Sequence, residues 1–384
     1  MSFGNSSHFA DLSGPDYKPF RPLNQVRELF DHQVNICLAI GGWGDNVGFN
    51  AAIQTDQTME TFARKVKQTL DSVGFDCLDI DWEYPGGNGE DHKRINECDN
   101  VKQIKQFPKF LQKIKQFIGD KQLSIAVPGL KRDMLAYVSE YVSIINKNVD
   151  FINVMSYDLM NRRDHLTTHH VSVEGAESAI DNYLSLGFPA SKLVLGIPFY
   201  AKWFATKEGQ TCNQPTGCPT ELLEDPQSGV DTGKSGFMTF EAINFAEPPA
   251  ELTISPSSTC GVGTSFRCPD GSCCAASGCG STPAHCNAGC QFPYGKCDGV
   301  DVSRSFRKAL DNGLTDEKKG AQWYWDSETH IFWSWDTPDL IRKKIISLAD
   351  TRDVKSVMAW SLAQDSHDWS HLSAMQKGFA TVNR

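Results

Sequence analysis

The 384-residue chain has no apolar run near the ~20 residues that cross a bilayer, and no basic-then-apolar leader follows Met1. Positive charge is in deficit: 37 Lys and Arg face 47 Asp and Glu, for a net charge of -10 and a pI near 5.5. That balance argues against nucleic acid or an anionic membrane surface as a partner. The histidines fall in two groups, His165, His169 and His170, and His367 with His371, and neither group carries the Glu of a zinc-protease motif. They read as surface-loop residues, and neither a metal nor a cofactor is expected.

Cysteine is plentiful. Eight of the 13 (Cys260, Cys268, Cys273, Cys274, Cys279, Cys286, Cys290 and Cys297) fall within 38 residues, dense enough for a disulfide scaffold or a metal cluster. No His/Cys pairs there repeat at zinc-finger spacing, which favours the scaffold. Such density belongs to the secretory pathway, so a secreted protein is expected although the chain shows no leader. Cys212 and Cys218 are close enough to pair. Cys37, Cys77 and Cys98 remain, an odd number, so at least one is free or has lost a partner. Cys37 and Cys77 sit in apolar stretches and read as inert core thiols.

Apolar strands alternate with helical patterns, which indicates a parallel α/β fold. Six core strands are expected at 34–42, 74–85, 123–128, 149–157, 193–200 and 354–362. Met59, Phe62, Ala63, Val66 and Leu70 repeat at helical spacing with Gly74 as the stop. Ile104, Phe107, Leu111, Ile114 and Phe117 mark a second helix, weakened or kinked by Pro108. Short helices are expected at 23–30, 135–145 and 176–186, with 14–22 as loop. Asp336-Thr337-Pro338 supplies a cap and first-turn proline for a helix through Ser347. Asn5-Ser6-Ser7 is a glycosylation sequon, usable only in a secreted protein.

The stretch 74–85, G-F-D-C-L-D-I-D-W-E-Y-P, is the most informative. Asp79, Asp81 and Glu83 project from one face of a strand, and Leu78, Ile80 and Trp82 from the other. Three carboxylates crowded on one buried face cannot all ionise cheaply, so one stays protonated near neutral pH. A poised acid at the end of such a row suits glycosidic-bond chemistry.

D-C-L-D-I-D-W-E resembles the D-x-x-D-x-D-x-E signature of glycoside hydrolase family 18, the chitinases, at all four acidic positions. A-I-G-G-W (Ala39 to Trp43) resembles the S-x-G-G motif, with Ala39 in place of Ser. M-S-Y-D (Met155 to Asp158) and M-A-W-S (Met358 to Ser361) resemble two further family landmarks, in family order. The resemblance implies a (β/α)8 TIM barrel that begins near strand three, N-terminally truncated by about two strands. The same truncation would have removed a signal peptide. It also implies substrate-assisted hydrolysis with retention, in which the substrate's own acetamide attacks the sugar carbon.

On that resemblance Glu83 is the general acid, Asp81 orients the acetamide, Asp79 shares a proton with Asp81, and Asp76 supports the row. Tyr157 would bond the acetamide oxygen, Asp158 would hold the sugar, and Trp360 would form the floor beneath its ring. Trp43 is a subsite wall or core packing; Met155 and Tyr84 join the substrate-binding set, and Gly41 and Gly42 let the backbone turn beside the ligand. Loss of the Ser hydroxyl at Ala39 removes a hydrogen bond near the acids, expected to tune rather than abolish activity.

The barrel would comprise residues 1–204 and 336–384, with an α+β insertion at 205–335 that deepens the cleft. Trp323, Trp325, Trp333 and Trp335 read mainly as its core. Within it, 257–298 resembles a hevein-like chitin-binding module through its cysteine order, with adjacent Cys273-Cys274, then C-G-S and C-x-x-x-C-Q. The stretch between Cys274 and Cys279 (Ala275, Ala276, Ser277, Gly278) lacks the usual aromatics, and His285 stands where one is general. Either chitin binding is retained or the module is a stapled structural insert.

The reading is an endo-type chitinase acting on chitin or chito-oligosaccharides, a neutral polysaccharide that suits the acidic surface. The alternatives are an endo-β-N-acetylglucosaminidase and a catalytically inactive chitin-binding lectin, the latter disfavoured because Asp81 and Glu83 are both present. The oligomeric state is not legible.

Overall fold

The structure, a computed structural model, describes all residues except 1, 12, 14, 15, 245–247, 276, 287–289 and 384. Met1, Gly14, Ala276 and residues 287–289, used in the sequence reading, therefore lie outside it. The chain divides into two compact units, Met1–Ser156 with Glu177–Gly196 and Arg352–Met358, and Tyr157–Ala176 with Ile197–Thr351 and Ala359–Arg384.

The first unit carries the parallel strands. In chain order they are β1 (Ser2–Gly4), β2 (Cys37–Gly41), β3 (Cys77–Asp81), β4 (Gln122–Pro128), β5 (Phe151–Met155) and β6 (Leu193–Pro198). They lie side by side in that order, each parallel to the next, with Ser356–Trp360 beyond β6 completing a seven-stranded sheet. Besides the six expected core strands the sheet holds Ser2–Gly4, where the first residues, M-S-F-G-N, resemble the end of a family barrel strand followed by its loop. Strands β3 and β6 are buried along their whole length, as parallel strands covered on both faces must be.

The first five helices of the chain are α1 (Ser6–Ala10), α2 (Leu23–Arg27), α3 (Val47–Ala52), α4 (Asp56–Val73) and α5 (Glu97–Ile118). In α4, Thr55 and Thr58 form a reciprocal capping box, the predicted apolar stripe is buried, and Gly74 ends the helix at φ 89°. Helix α5 runs through Pro108 without a break. Beneath the acid row, Trp82 stacks on Phe49 with ring centroids 5.1 Å apart and meets Phe107 and Phe110 edge-on. The other helices shift by a few residues from expectation: Ser139–Asn148 rather than 135–145, and Val173–Leu186 rather than 176–186.

Cys37 and Cys77 are not free core thiols. They stand opposite each other in the β2–β3 register and form a disulfide. The odd cysteine is Cys98, exposed and unpaired.

The second unit is built on a five-stranded antiparallel sheet, in the order Leu314–Asp316, Ala321–Asp326, Ile331–Trp335, Tyr200–Ala205 and Ser235–Thr239. Trp203, Phe240, Phe306, Trp333 and Trp335 form its main cluster, while Trp323 packs with Phe204 and Phe332 on another, where Trp325 is only partly buried. Trp333 Nε1 donates to Ser305 Oγ at 3.0 Å, which satisfies the one polar atom of a fully buried ring. In the helix Pro338–Arg352, Thr337 is the cap, accepting from Leu340 N. Asp336 was expected to share that role; instead it forms a fully buried ion pair with Lys344 at 2.6 Å.

Four disulfides staple 257–298: Cys260–Cys274, Cys268–Cys279, Cys273–Cys286 and Cys290–Cys297. Cys212–Cys218 forms as predicted. The module's own core is small, with Cys268, Cys274 and Tyr294 at its centre. Its His285 bonds Thr282 Oγ1 through Nδ1 at 2.7 Å, and its ring covers Gly280 so closely that a Cβ there would lie 2.6 Å from it.

Candidate active site

Strand β3 places the acid row. Asp79 and Asp81 are both buried, while Glu83, just past the strand's end, is partly exposed. Asp79 stands between Ala39 on β2 and Ser124 on β4. Its Oδ1 accepts from Ser124 Oγ in a short hydrogen bond and from Asn153 Nδ2, on β5, at 2.9 Å. Burial raises the Asp79 carboxyl, and those two donors restrain the rise. Asp81 has no such help: its Oδ1 is buried with no hydrogen-bond partner. Burial, then the charges of Glu83, Asp79 and Asp45, push it well above the ordinary carboxylate range. Tyr137 also buries an unpartnered hydroxyl, and burial followed by the Asp81 charge raises that phenol strongly.

The flanking residues explain the row's placement. Asp76 Oδ2 accepts from Arg27 Nη2 at 2.7 Å and from Ile36 N at 2.8 Å, tying the entry of β2 to that of β3. At the other end, Gly42 N donates to Asp81 O at 2.8 Å. Gly41 has φ 111°, and a Cβ there would sit 2.1 Å from that same carbonyl, so only glycine fits. Trp43 is half exposed rather than core, with its ring edge-on to Tyr84 at 6.3 Å. Met155 ends β5 and is buried.

In the second unit, Tyr157 is buried, and Asp158 takes a left-handed backbone at φ 55°. Asp158 accepts from Tyr200 Oη at 2.8 Å and pairs with Lys202 Nζ at 3.1 Å; His170 Nδ1 lies 3.6 Å away. Burial works to raise this carboxyl, but Lys202, His170 and Tyr200 outweigh it and hold it well below the usual range. Trp360 is 37% exposed, and its carbonyl accepts from Phe199 N at 2.8 Å.

The first unit therefore brings together Asp76, Asp79, Asp81, Glu83, Tyr84, Gly41, Gly42, Trp43 and Met155; Tyr157, Asp158 and Trp360 belong to the second. Sequence reasoning missed Ser124, Asn153, Tyr137, Tyr200 and Lys202, and read His170 as a surface-loop residue. Asn153 is the one polar residue of β5 and Ser124 shares β4 with Gln122, but neither shows its partner until the register of the strands is known.

The histidine reading needs correction. His165 and His367 are exposed, but His169, His170 and His371 are buried. His169 Nε2 lies 3.0 Å from an Asp316 oxygen, and His371 Nδ1 lies 2.9 Å from one of Asp365. Burial lowers His169 and His170, leaving them neutral at pH 7. The sulfurs of the cysteine clusters at Cys260, Cys268 and Cys274 and at Cys273 and Cys286 are consumed in disulfides.

The family model described as glycosyl hydrolases family 18 matches residues 1–365. Sporulation-specific chitinase 2 of Saccharomyces cerevisiae is 27% identical over 63% of this chain and 51% of its own length. The chain spans about half the length of the curated relatives it matches. Among solved structures, a chitinase from Rhizomucor miehei superposes with a TM-score of 0.66 at 18% identity, covering 98% of this chain and 92% of that one. A plant class V chitinase mutant from Cycas revoluta, in complex with (GlcNAc)3, gives a TM-score of 0.59 at 15% identity, covering 93% and 83%. The acid row on its buried strand and the match along nearly the whole chain agree: this protein belongs to glycosyl hydrolase family 18.

Proposed function

We propose that the protein hydrolyses β-1,4-linked N-acetylglucosamine polymers as a secreted, endo-acting chitinase, with retention and substrate assistance. The observation that carries this reading is Asp81: a buried carboxyl with an unpartnered oxygen, raised by burial and by the acids on either side of it in the row.

Glu83, partly exposed at the end of the row, delivers its proton to the glycosidic oxygen as the C1–O bond breaks. The substrate's acetamide oxygen attacks C1 and forms a cyclic oxazolinium ion. As substrate binds, the proton shared by the pair passes from Asp81 to Asp79, so that Asp81, now an anion, accepts from the acetamide N–H and stabilises the charge that develops there. Water activated by Glu83 then opens the ring, restoring the acetamide and leaving the β-configuration. Tyr157 bonds the acetamide oxygen, Met155 and Trp360 give the ring apolar surface, and Asp158 takes a sugar hydroxyl. Trp43 and Tyr84 line a further sugar position, stacking aromatic faces on pyranose rings. No cofactor enters this scheme.

The sheet forms the main part of a (β/α)8 barrel, with the expected boundary at 204/205 moved back to 199/200, because Tyr200–Ala205 is a strand of the antiparallel sheet: the barrel comprises 1–199 and 336–384, and 200–335 is the inserted subdomain. Six disulfides support an oxidising compartment. The hevein-like module 257–298 is a stapled insert; its Ala275 and Ser277 offer no aromatic face to a sugar.

Incubation with N-acetylated chito-oligosaccharides, beside a Glu83→Gln control, tests the reading. Sugar release by the parent and a loss of roughly 10²–10⁴-fold in the control are expected. A folded, soluble parent without turnover would overturn the hydrolase reading in favour of a lectin.

A further inference from the structure

The geometry around Asp79 points to Ser124 and Asn153 as positioning residues that keep the negative charge on Asp79, and so store the row's shared proton on Asp81, beside Glu83. The catalytic consequence rests on the hydrolase reading; the location of the proton does not.

Asp79 is flanked on β2 by Ala39, whose fully buried methyl donates nothing. All of its observed anchoring comes from the other side. Ser124 is its register partner on β4, and Asn153 reaches over from β5; both donate to the same oxygen, Oδ1. A carboxylate oxygen that accepts a hydroxyl and an amide N–H has its lone pairs engaged and is a poor place for a proton. One residue pair along the strand, Asp81 Oδ1 is buried and no group donates to it, so nothing there supports a negative charge and the neutral, protonated carboxyl is the form that burial favours.

The charges near the pair agree. Among the described residues, Asp81 is faced by Glu83 just past the end of its strand, by Asp79 on the strand and by Asp45 from the loop after β2, all of which disfavour a second anion. The neighbouring strands β4 and β5 meet Asp79 with the uncharged Ser124 and Asn153, and Tyr137 near Asp81 is a neutral phenol at all relevant pH. Asp79 and Asp81 then ionise as a coupled pair that holds one proton near neutrality. The donors decide which member holds it.

The test follows the carboxyl ¹³C signals of Asp79 and Asp81 through a pH titration of the free protein, assigned with Asp79→Asn and Asp81→Asn. In the parent, Asp79 should be the first of the two to ionise as pH rises. Asn153→Ala and Ser124→Ala should each move the Asp79 transition up by about one unit, since each removes a donor to the anion. Ala39→Ser, which restores a hydroxyl on the opposite flank, should move it down, and should reverse part of the shift in Asn153→Ala. If hydrolysis is observed, the acid limb of kcat should shift with the same signs while KM stays within about twofold. A parent in which Asp79 ionises after Asp81 would overturn the proposal. So would an Asp79 transition indifferent to all three substitutions; Ala39→Ser decides the point if the alanine variants do not fold. A parent without turnover would remove the chitinase reading and leave the titration to judge the proton's location.

Discussion

Strand β3 and the module 257–298 both hold side chains in fixed places, by opposite means. Around β3, order comes from packing: neighbouring parallel strands on both sides, the Trp82 aromatic cluster beneath, and hydrogen bonds to Asp76 and Asp79 from side chains up to 74 residues away in sequence. In the module, apolar contacts centre on Cys268, Cys274 and Tyr294, and four crosslinks replace the missing core. The difference matters for chemistry. The large core buries carboxylates and raises them, at Asp79 and Asp81, whereas the group that burial raises in the module is the Tyr294 phenol.

That contrast can be broken from either side. Trp82→Ala should cost about 3–5 kcal/mol in a denaturant melt, because it empties a cavity among Phe49, Phe107 and Phe110 directly behind the row. Paired Cys273→Ser and Cys286→Ser should cost a smaller ~2–4 kcal/mol. The loss should be confined to the module: hydrogen exchange should quicken within 257–298 and remain slow in β3. Exchange that quickened equally in β3 would mean that the two regions do not hold themselves independently.

Much of this was legible from the chain because its signals are local. The α4 stripe from Met59 to Leu70 and its Gly74 stop need only helical spacing, and the acid row needs only strand alternation. The density of cysteines in the module announced its crosslinks. What escaped depends on register between distant segments. Cys37 and Cys77 are 40 residues apart and bond only because β2 and β3 align them. Asp336, read as a cap, is drawn to Lys344 in the helix that follows it, where burial leaves neither charge another partner of opposite sign among the described residues. His169 and His371 lie in polar stretches that look like surface, yet Asp316 and Asp365 satisfy them inside the fold. The acids were readable; the uncharged groups that decide their protonation, Ser124 and Asn153, were not, because a single polar residue in a buried strand has no meaning until its neighbour across the sheet is known.

The central claim is that the substrate's acetamide, not a protein carboxylate, forms the first bond to C1. Proton NMR of the anomer released in the first minutes of reaction with an N-acetylated chito-oligosaccharide tests it most directly. The β-anomer should appear first, with no cleavage of the fully deacetylated oligosaccharide. Initial release of the α-anomer, or equal cleavage of the deacetylated substrate, would contradict it.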